Sequence, residues 1–501
     1  MSRSRLEPTL LLLALGAGLW LALSMPVFSQ ESYYWCYSQH PDLSYYDHPP
    51  MVAWLIWLGS QVFGDGAMGI RLGSWLCGCA TVLGGLSLLR AFEAPPTSRL
   101  VWLALCLGVP NLVAVRFLTN PDPPLCAFWM LTLVALWRSR SGGLGWWALA
   151  GLMAGGALLS KYTAIFLAPA GALLLLIDPK MRRQLLKPGP YVGVLVAALT
   201  FLPVIWWNVA NDFESFRFQT EGRWERAGLG VKWLGQFVGG QLLVLNPVVA
   251  VATVASTWWL WRRGRGGDMR ATWLLAFGVP MAAFLLCSSL FVQVKINWLT
   301  PAALPLLLGM TLWWTGAEFV PRHPVAVRRL RYVLIGFAAV IAIAPVVRLM
   351  PPGRGSRWVG WEETVARVDH WRAVVDREDE RSGNLFYFAG DYRDAAQLTR
   401  HLKNHAKVAR PGVAVEPTLA QNAFGLSALQ FDHWEPPAKH IGEDGLLVLP
   451  RPDMRQGLLE RIGVHFASLE LLERVEVQRL GFSVFSADIY RGRNYLGPKL
   501  P

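Results

Sequence analysis

Charged residues are scarce in this chain of 501 residues: they make up 16% of it, while 53% of the residues are hydrophobic. An ordinary soluble protein has roughly 25% charged residues, so a single soluble domain and a disordered chain are both excluded. Six cysteines are too few for a disulfide scaffold, and the sequence contains no P-loop and no Rossmann fingerprint. The formal net charge is nevertheless +13, which indicates either a nucleic-acid partner or a membrane topology.

Apolar stretches of about 20 residues, the length that crosses a bilayer, recur throughout residues 1–350. They predict an all-α polytopic membrane domain over this range. The first is expected to be retained rather than cleaved as a signal peptide, and the short run 51–63 to lie at the membrane surface. The eleven spans are predicted near 8–28, 67–89, 100–117, 123–137, 144–159, 162–177, 190–207, 233–261, 271–291, 298–318 and 332–349. Two glycine pairs, Gly151/Gly155 and Gly235/Gly239, predict close packing between helices.

The cations concentrate on one side of these predicted spans. Counted from a cytoplasmic N-terminus, the inner loops hold 18 cations and five acids, while the outer segments of residues 1–350 hold nine of each. Because cytoplasmic loops are enriched in Lys and Arg, we predict a cytoplasmic N-terminus and an extracytoplasmic C-terminus. Residues 351–501 hold 20 cations and 20 acids, so the inner loops account for the whole of +13. The basicity is a topology signal and gives no support to a nucleic-acid partner.

Beyond Pro351-Pro352-Gly353 the composition changes and no stretch is long enough to span a membrane. Residues 351–501 are predicted to form a small soluble α/β domain on the periplasmic side, large enough for its own core. Strands are predicted at 384–389 and 445–450, helices at 392–404 and 453–465, and two strands within 470–492 around Gly481.

The first outer loop, 29–66, is the most informative stretch. Its part from residue 30 to 50 has three acids, two histidines, many aromatic residues and no lysine or arginine. An aromatic belt at the interface is one interpretation; an acidic catalytic or metal pocket is the other. Asp47 and His48 stand before two prolines, which present a carboxylate and an imidazole on a stiff turn.

Later outer segments add a carboxylate and several cations. Asp122 begins a predicted helix, where it either suits the helix dipole or serves as a general base. Lys161 lies at an outer junction of two spans, where it either snorkels or binds an anionic phosphate. The cations Arg217 and Lys295 are further candidates for holding a phosphate.

Six fragments in order resemble bacterial members of the dolichyl-phosphate-mannose-protein mannosyltransferase superfamily. These are membrane glycosyltransferases of the GT-C fold, and they include the aminoarabinose transferases that act on lipid A. The resemblance covers most of residues 1–320. The fragments are 30–35 with 45–50, 69–72, 121–125, 160–163, 203–208 with 215–219, and 294–298.

The resemblance implies a GT-C enzyme of the bacterial cytoplasmic membrane. Such an enzyme moves a sugar from a polyprenyl-phosphate donor to a lipid, glycan or protein acceptor on the outer face, by a single displacement with inversion. The family's first-loop motif usually opens with two adjacent acids, but here the first position is Gln30, and a neutral amide cannot act as a base. The catalytic carboxylate is therefore sought among Asp122, which we favour, Glu31 and Asp47.

The resemblance also implies residues that bind the substrate. Asp47 matches a carboxylate that helps to hold a divalent ion (Mg²⁺ or Mn²⁺), and His48 stands where those enzymes have a phosphate-binding lysine. His48 is thus either a phosphate ligand or, with Asp47, a metal ligand; a site made of cations alone is the alternative. The full set of predicted substrate-binding residues is His48, Tyr46, Arg71, Lys161, Tyr162, Arg217, Lys295 and Asn297.

Two other functions stay open at this stage. A transporter or flippase for lipid-linked sugars would have ionisable groups deep within its spans and internal repeats, whereas almost every charge here lies at a predicted span end. An inactive relative that binds lipid is the second alternative, and Gln30 is its best argument.

Overall fold

A computed structural model describes residues 3–222, 224, 227–316, 325, 329, 332–336, 339–340, 358–378, 385–412, 414–415, 418–451, 456–479 and 481–498. These residues form two compact units. The first unit contains the described residues of 3–23, 42–62 and 71–340, and the second contains 24–41, 63–70 and those from 358 onward. The sequence assigned 24–41 and 63–70 to the membrane domain 1–350, so the structure divides the first outer loop differently.

Helices make up the chain as far as residue 316. In order they are α1 (Arg3–Ser24), α2 (Ser29–Gln39), α3 (Met51–Phe63), α4 (Ala67–Ala91), α5 (Pro96–Gly108), α6 (Pro110–Ala114), α7 (Asp122–Ser139), α8 (Leu144–Ser160), α9 (Leu167–Ile177), α10 (Pro179–Arg182), α11 (Gly189–Ala210), α12 (Glu214–Arg217), α13 (Val231–Leu245), α14 (Pro247–Arg265), α15 (Met269–Ser288) and α16 (Thr300–Thr315). Short 3-10 helices cover Tyr162–Phe166, Arg183–Leu186 and Ile296–Leu299, and a π-helix covers Phe218–Gly222.

Five stretches of the described chain are long and apolar enough to cross a membrane unaided: Arg5–Ser24, Ala67–Ala91, Gly189–Ala210, Met269–Ser288 and Ile296–Thr315. Two bent helix pairs raise the number of candidates to seven, fewer than the eleven predicted. The chain is a multi-pass membrane protein. The predicted span 100–117 is broken before Pro110, and 144–159 forms a helix of only 17 residues. The predicted span 332–349 lies largely outside the described residues.

The predicted span 233–261 is in fact two helices, α13 and α14, bent by 104°. Asn246 at the break has a φ of 73°, and its side chain accepts a hydrogen bond from the Val248 N–H at 3.0 Å. Pro247 has no N–H to continue α13, so a new helix begins there. A second bend of 90° separates Tyr162–Ile177 from Pro179–Leu186, where Asp178 caps α10.

One of the two glycine pairs packs closely against a neighbouring helix. A Cβ at Gly151 would lie 2.1 Å from the Gly193 carbonyl oxygen, and one at Gly155 would lie 2.4 Å from the Thr200 Cβ. The predicted close packing is therefore confirmed between α8 and α11. For the pair at 235 and 239, an added Cβ meets nothing within 4 Å among the described residues, so close packing there stays a prediction.

The second unit adds an α/β fold to α2. Its helices are α17 (Trp361–Glu378), α18 (Tyr392–Ala409), α19 (Phe431–Trp434) and α20 (Gln456–Gly463), and its strands are β1 (Leu385–Ala389), β2 (Thr418–Leu419), β3 (Asp444–Pro450), β4 (Phe466–Arg479) and β5 (Phe482–Tyr495). The strand order is β2-β1-β3-β5-β4; β1 pairs parallel with β2 and β3, and β5 pairs antiparallel with β3 and β4. The predicted strands are confirmed, including the two on either side of Gly481.

Alternation along β1 gives the sheet an apolar core on each face. Leu385 and Tyr387 pack with α17 and α18, while Phe386 and Phe388 pack with α20 and Phe466. Because successive side chains of a strand point to opposite faces, a strand buried throughout its length needs cover on both sides.

Candidate functional site

A buried carboxylate held by two side chains from other elements is the centre of the candidate site. Asp122 at the start of α7 is 2% exposed. Its Oδ1 accepts a hydrogen bond from the Lys161 Nζ at 2.7 Å, and its Oδ2 accepts one from the Asn297 side-chain amide. Three residues that the sequence predicted separately are thus brought into direct contact.

The local sequence places each of these three side chains at an interruption of helix. Asp122 begins α7, where Pro123 follows it and its own N–H donates to Asn120 Oδ1 at 2.8 Å. Lys161 ends α8 in an extended conformation, with φ −162° and ψ 138°. Asn297 lies in the 3-10 helix before α16, where its carbonyl accepts a hydrogen bond from the Thr300 hydroxyl. Helix ends leave the backbone free to present side chains towards one point.

A cavity of about 640 Å³ adjoins this cluster. It contains three groups that can bear positive charge, those of His48, Lys161 and Lys295, together with Tyr162 and Trp298. The Lys161 ammonium lies 5.7 Å from the Trp298 ring centroid, within the range of a cation–π contact. The volume is typical of a site for a small molecule, and the cations suit an anionic group such as a phosphate.

Asp47 and His48 lie beside each other, with 3.9 Å between the His48 Nε2 and the Asp47 Oδ2. The Gln219 side chain lines the cavity and donates to the Asp47 carbonyl at 2.9 Å. Among the described residues, no group of three or more His, Cys, Asp or Glu side chains is placed to hold a metal ion. Two protein donors are fewer than a preformed divalent site uses, so a metal here would depend on oxygens of a bound phosphate.

The remaining predicted binding residues take different places in the first unit. The Tyr162 hydroxyl lies 2.7 Å from the Ser215 hydroxyl and 3.5 Å from that of Ser44, so Tyr162 ties the cavity wall to the first outer loop. Tyr46 packs its ring against Phe218, with centroids 4.9 Å apart. Neither Tyr46 nor Arg217 is among the residues that line the cavity.

Arg71 is completely buried and is also absent from the cavity wall. Its guanidinium donates to the Ala22 carbonyl at 3.0 Å and lies 5.9 Å from the Phe117 ring centroid. The bond to Ala22 joins α4 to α1. Arg71 does not line the cavity, so no contact described here supports the prediction that it binds substrate.

Glu31 lies in the second unit and is 1% exposed. Its Oε2 accepts a hydrogen bond from the Phe28 N–H at 2.9 Å, at the third position of α2. A carboxylate in this position satisfies a backbone donor at the helix start. This bond gives Glu31 a capping contact at the start of its own helix, whereas the bonds of Asp122 come from Lys161 and Asn297.

Polar bonds hold α2 against α18 within the second unit. The Arg393 Nε donates to the Gln30 Oε1 at 3.1 Å, the Ser32 hydroxyl donates to Gln397 at 2.9 Å, and the Arg400 Nε donates to Ser32 at 3.0 Å. These bonds explain why residues 24–41 group with the C-terminal unit. They also give Gln30, the departure from the family motif, a partner that an amide can satisfy.

Sequence reasoning did not single out Gln219 and Ser215, although both fell within one fragment of the family resemblance. Gln219 bonds to the Asp47 backbone and Ser215 to Tyr162. Neutral side chains of this kind carry no charge or metal-ligand signal, so only their place in the fragment could have drawn attention to them.

The described residues define a class: a multi-pass membrane protein that also contains a small α/β unit. Residues 47–207 match the family model described as dolichyl-phosphate-mannose-protein mannosyltransferase. The resemblance inferred from the sequence fragments is thereby confirmed.

Two relatives are similar in sequence to part of this chain. Lipid A galacturonosyltransferase RgtD of Rhizobium johnstonii is 30% identical over 304 residues, which cover 58% of this chain and 62% of that protein. The undecaprenyl phosphate-alpha-4-amino-4-deoxy-L-arabinose arabinosyl transferase of Pseudomonas aeruginosa is 32% identical over 183 residues, 35% of this chain and 33% of that protein. The match spans less than two thirds of the length of either relative.

A solved structure matches nearly the whole chain. ArnT from Cupriavidus metallidurans in the apo state superposes with a TM-score of 0.63 at 14% identity, covering 98% of both chains. The same protein bound to undecaprenyl phosphate gives a TM-score of 0.59 at 16% identity, covering 98% of this chain and 99% of that one. At this level of identity the likeness shows the fold, and the predicted fold class is confirmed.

Proposed function

We propose that the protein is a glycosyltransferase of the bacterial cytoplasmic membrane. It moves a sugar from a polyprenyl-phosphate donor to a lipid, glycan or protein acceptor on the outer face of that membrane. The names of the relatives support a lipid-linked donor, and lipid A is the first acceptor to test because RgtD acts on it. The excess of cations in the predicted inner loops supports a cytoplasmic N-terminus and an extracytoplasmic second unit.

The observation that carries the proposal is the pairing of Asp122 with Lys161 at the edge of a cationic cavity. The reaction needs a base for the acceptor hydroxyl and positive charge for the departing phosphate. The Asp122–Lys161 ion pair contains both the base and the positive charge. Each carboxylate oxygen has two lone pairs, so Asp122 can accept a further hydrogen bond while it is held by Lys161 and Asn297.

In the proposed step the acceptor oxygen attacks the anomeric carbon of the donor from the face opposite the phosphate. The new carbon–oxygen bond forms as the old one breaks, and the bonding electron pair leaves on the phosphate oxygen. The hydroxyl proton passes to the Asp122 carboxylate. Lys161, with Lys295 and His48 on the same cavity wall, stabilises the negative charge that the phosphate gains.

Asp122 is preferred over the other two candidate carboxylates on the basis of contacts. Glu31 is engaged as the cap of its own helix, and Asp47 lies beside His48, which suits a role in holding the phosphate. A divalent ion bound through Asp47 and His48 would supply further positive charge to the phosphate, but the three cations suffice for the proposed step.

The test is transfer of a radiolabelled sugar by the purified full chain. Undecaprenyl phosphate carrying galacturonic acid, aminoarabinose or mannose is offered with lipid A as acceptor, and the assay is repeated with EDTA. We expect product with at least one donor. No product with any donor, together with movement of the intact donor across vesicle membranes, would contradict the proposal and support the flippase alternative.

A further inference from the structure

A second polar cavity, of about 570 Å³, lies entirely within the second unit. Its walls come from α2, α18, α19 and the segment that follows α18. The proposed transfer step uses none of these residues. The side chains that matter for its chemistry are Trp35, Gln39, His40, Lys403, Trp434 and Glu435.

The charges around this cavity are paired, with one exception. Lys407 on the wall bonds to Asp65 at 2.5 Å, and Arg410 bonds to Asp369 at 2.9 Å. The carboxylate of Glu435 bonds to His440 at 3.1 Å and lies 3.6 Å from the Lys439 ammonium.

Lys403 differs from these cations because its hydrogen-bond partner is the neutral Gln39 amide. Within the described part of the chain, no carboxylate oxygen lies at ion-pair distance from its ammonium. Burial lowers the pKa of Lys403, against the opposing effect of Asp65, as expected for an ammonium with too little negative charge around it. An anion in the cavity would supply that charge.

Aromatic rings form the other part of the wall. Trp434 stacks on His40 with centroids 4.9 Å apart and planes 22° apart, and the Trp35 ring centroid lies 5.3 Å from the Lys403 ammonium. Indole rings present a broad apolar face, and amide and hydroxyl groups such as those of Gln39 and Thr399 can bond to ring hydroxyls. A flat apolar face beside polar groups fits the two sides of a pyranose ring.

We propose that this cavity binds an anionic saccharide, a sugar ring that carries a phosphate or a carboxylate. Lys403 holds the anion, and the indole of Trp434 packs against the ring. The volume of the cavity lies within the range of ordinary small-molecule sites. The further statement that this sugar belongs to the acceptor rests on the proposed function, whereas the binding itself does not.

Isothermal titration of the purified full chain in detergent tests this site without a donor present. The probes are glucosamine 1-phosphate, galacturonic acid, neutral galactose and inorganic phosphate. We expect one of the two anionic sugars to bind at least tenfold more tightly than galactose or inorganic phosphate. Which of the two binds distinguishes a phosphate-bearing from a carboxylate-bearing saccharide. The proposal would be overturned if galactose or inorganic phosphate bound as tightly as the anionic sugars.

Variants connect the binding to this cavity. Lys403→Met removes the charge but keeps most of the length of the side chain, and it should weaken binding of the anionic sugar at least tenfold. Trp434→Leu should also weaken this binding. Arg461→Met removes an exposed cation of the same unit that lies outside the cavity wall, and it should bind as wild type does. A thermal transition close to that of wild type shows that a variant is folded. Wild-type binding by folded Lys403→Met would overturn the proposal.

The two proposals fail in different ways. Asp122→Asn should lower the rate of sugar transfer by about a thousandfold and leave the titration unchanged, because Asp122 does not line this cavity. Saccharide binding without transfer by the wild type would remove the proposed function alone, and transfer without saccharide binding would remove the second site alone.

Discussion

The two units each contain a buried carboxylate that the sequence offered as a catalytic group, and the contacts of these carboxylates differ in kind. In the first unit, Asp122 is held by Lys161 and Asn297, which come from other elements. In the second, Glu31 accepts from the backbone three residues before it. A carboxylate that closes its own helix stabilises local structure. Asp122 is fixed by side chains distant in sequence at the edge of a cationic cavity, and it is the carboxylate that we propose as the base.

The largest effect should come from exchanging the two carboxylates for their amides. Asp122→Asn removes the proposed base, and general bases contribute roughly 100- to 10,000-fold to rate, so we expect the rate of transfer to fall by about a thousandfold. Glu31→Gln keeps an oxygen that can accept the Phe28 N–H, and transfer should change by less than about threefold. Initial rates at saturating donor measure both.

Two results would contradict the assignment of Asp122 as base and Glu31 as cap. If Glu31→Gln loses transfer while Asp122→Asn keeps it, the assignments of base and cap are reversed. Equal losses in both variants, with unchanged thermal transitions, would mean that both carboxylates take part in the reaction. Asp122→Glu serves as a second variant, since it keeps the charge and should retain more activity than the amide.

Removal of Lys161 should cost stability as well as activity. In Lys161→Met the buried Asp122 carboxylate loses its cation, and breaking one side of a buried ion pair typically costs about 3–5 kcal/mol. The double variant Asp122→Asn/Lys161→Met leaves no unpaired charge and should recover most of that stability without recovering transfer. Thermal melting in detergent, followed by size-exclusion chromatography, measures the two variants side by side.

Lys187→Met is the matched control, because Lys187 is an exposed cation of a predicted inner loop. It should melt and turn over like the wild type. If the double variant is no more stable than Lys161→Met, the two side chains are not coupled, and the site loses the ion pair on which the mechanism depends.

The sequence predicted β1 and β3 well because each is a short and almost entirely apolar run. The longer strands β4 and β5 were recognised from the glycine between them. Gly481 between β4 and β5 has a φ of +79°, which glycine adopts at little cost. The bend between α13 and α14 was missed for a physical reason. A proline within an apolar run is tolerated by many membrane helices, so Pro247 alone does not indicate whether the chain kinks or turns by 104°.

The candidate site, too, was predicted only in part from the sequence. Asp122, Lys161 and Asn297 were each identified from charge and position, but their mutual contacts join residues 39 and 175 apart in sequence. Local patterns do not encode such contacts, because they depend on how the helices pack. The same holds for α2, where Ser32 and Gln30 gave no sign that their partners lie more than 360 residues later.

Substitution of Asp65, a carboxylate of the second unit that bonds to Lys407, should change stability but not transfer. Asp65 accepts from Lys407 at 2.5 Å and from the Trp35 indole at 2.9 Å. Burial acts to raise the pKa of Asp65, but the hydrogen bonds from Lys407 and Trp35 outweigh it, so the pKa is lowered. Since Lys407 is about half exposed, we expect Asp65→Asn to lose only about 1 kcal/mol of stability at pH 7. Its transfer activity should equal that of the wild type.

The pH dependence of that loss follows from the direction of the shift. A lowered pKa in the folded state stabilises the fold above the unfolded value of about 4, and the contribution disappears as the pH falls through the folded value. The difference in melting temperature between wild type and Asp65→Asn should therefore be constant from pH 8 to 5 and shrink below about pH 4. A difference that grows on acidification would contradict the assignment.

The smallest effect is expected at the position where this chain departs from the family motif. Gln30→Glu restores an acid beside Arg393, whose Nε already donates to the Gln30 side chain at 3.1 Å. A charged partner should strengthen that contact by about 0.5 kcal/mol or less, measured as a small rise in melting temperature that high salt removes. Transfer should not change, because the new carboxylate would be engaged with Arg393 inside the second unit. A tenfold gain in transfer rate would show instead that position 30 takes part in the reaction, and the distinction between structural carboxylates in the second unit and a catalytic one in the first would no longer hold.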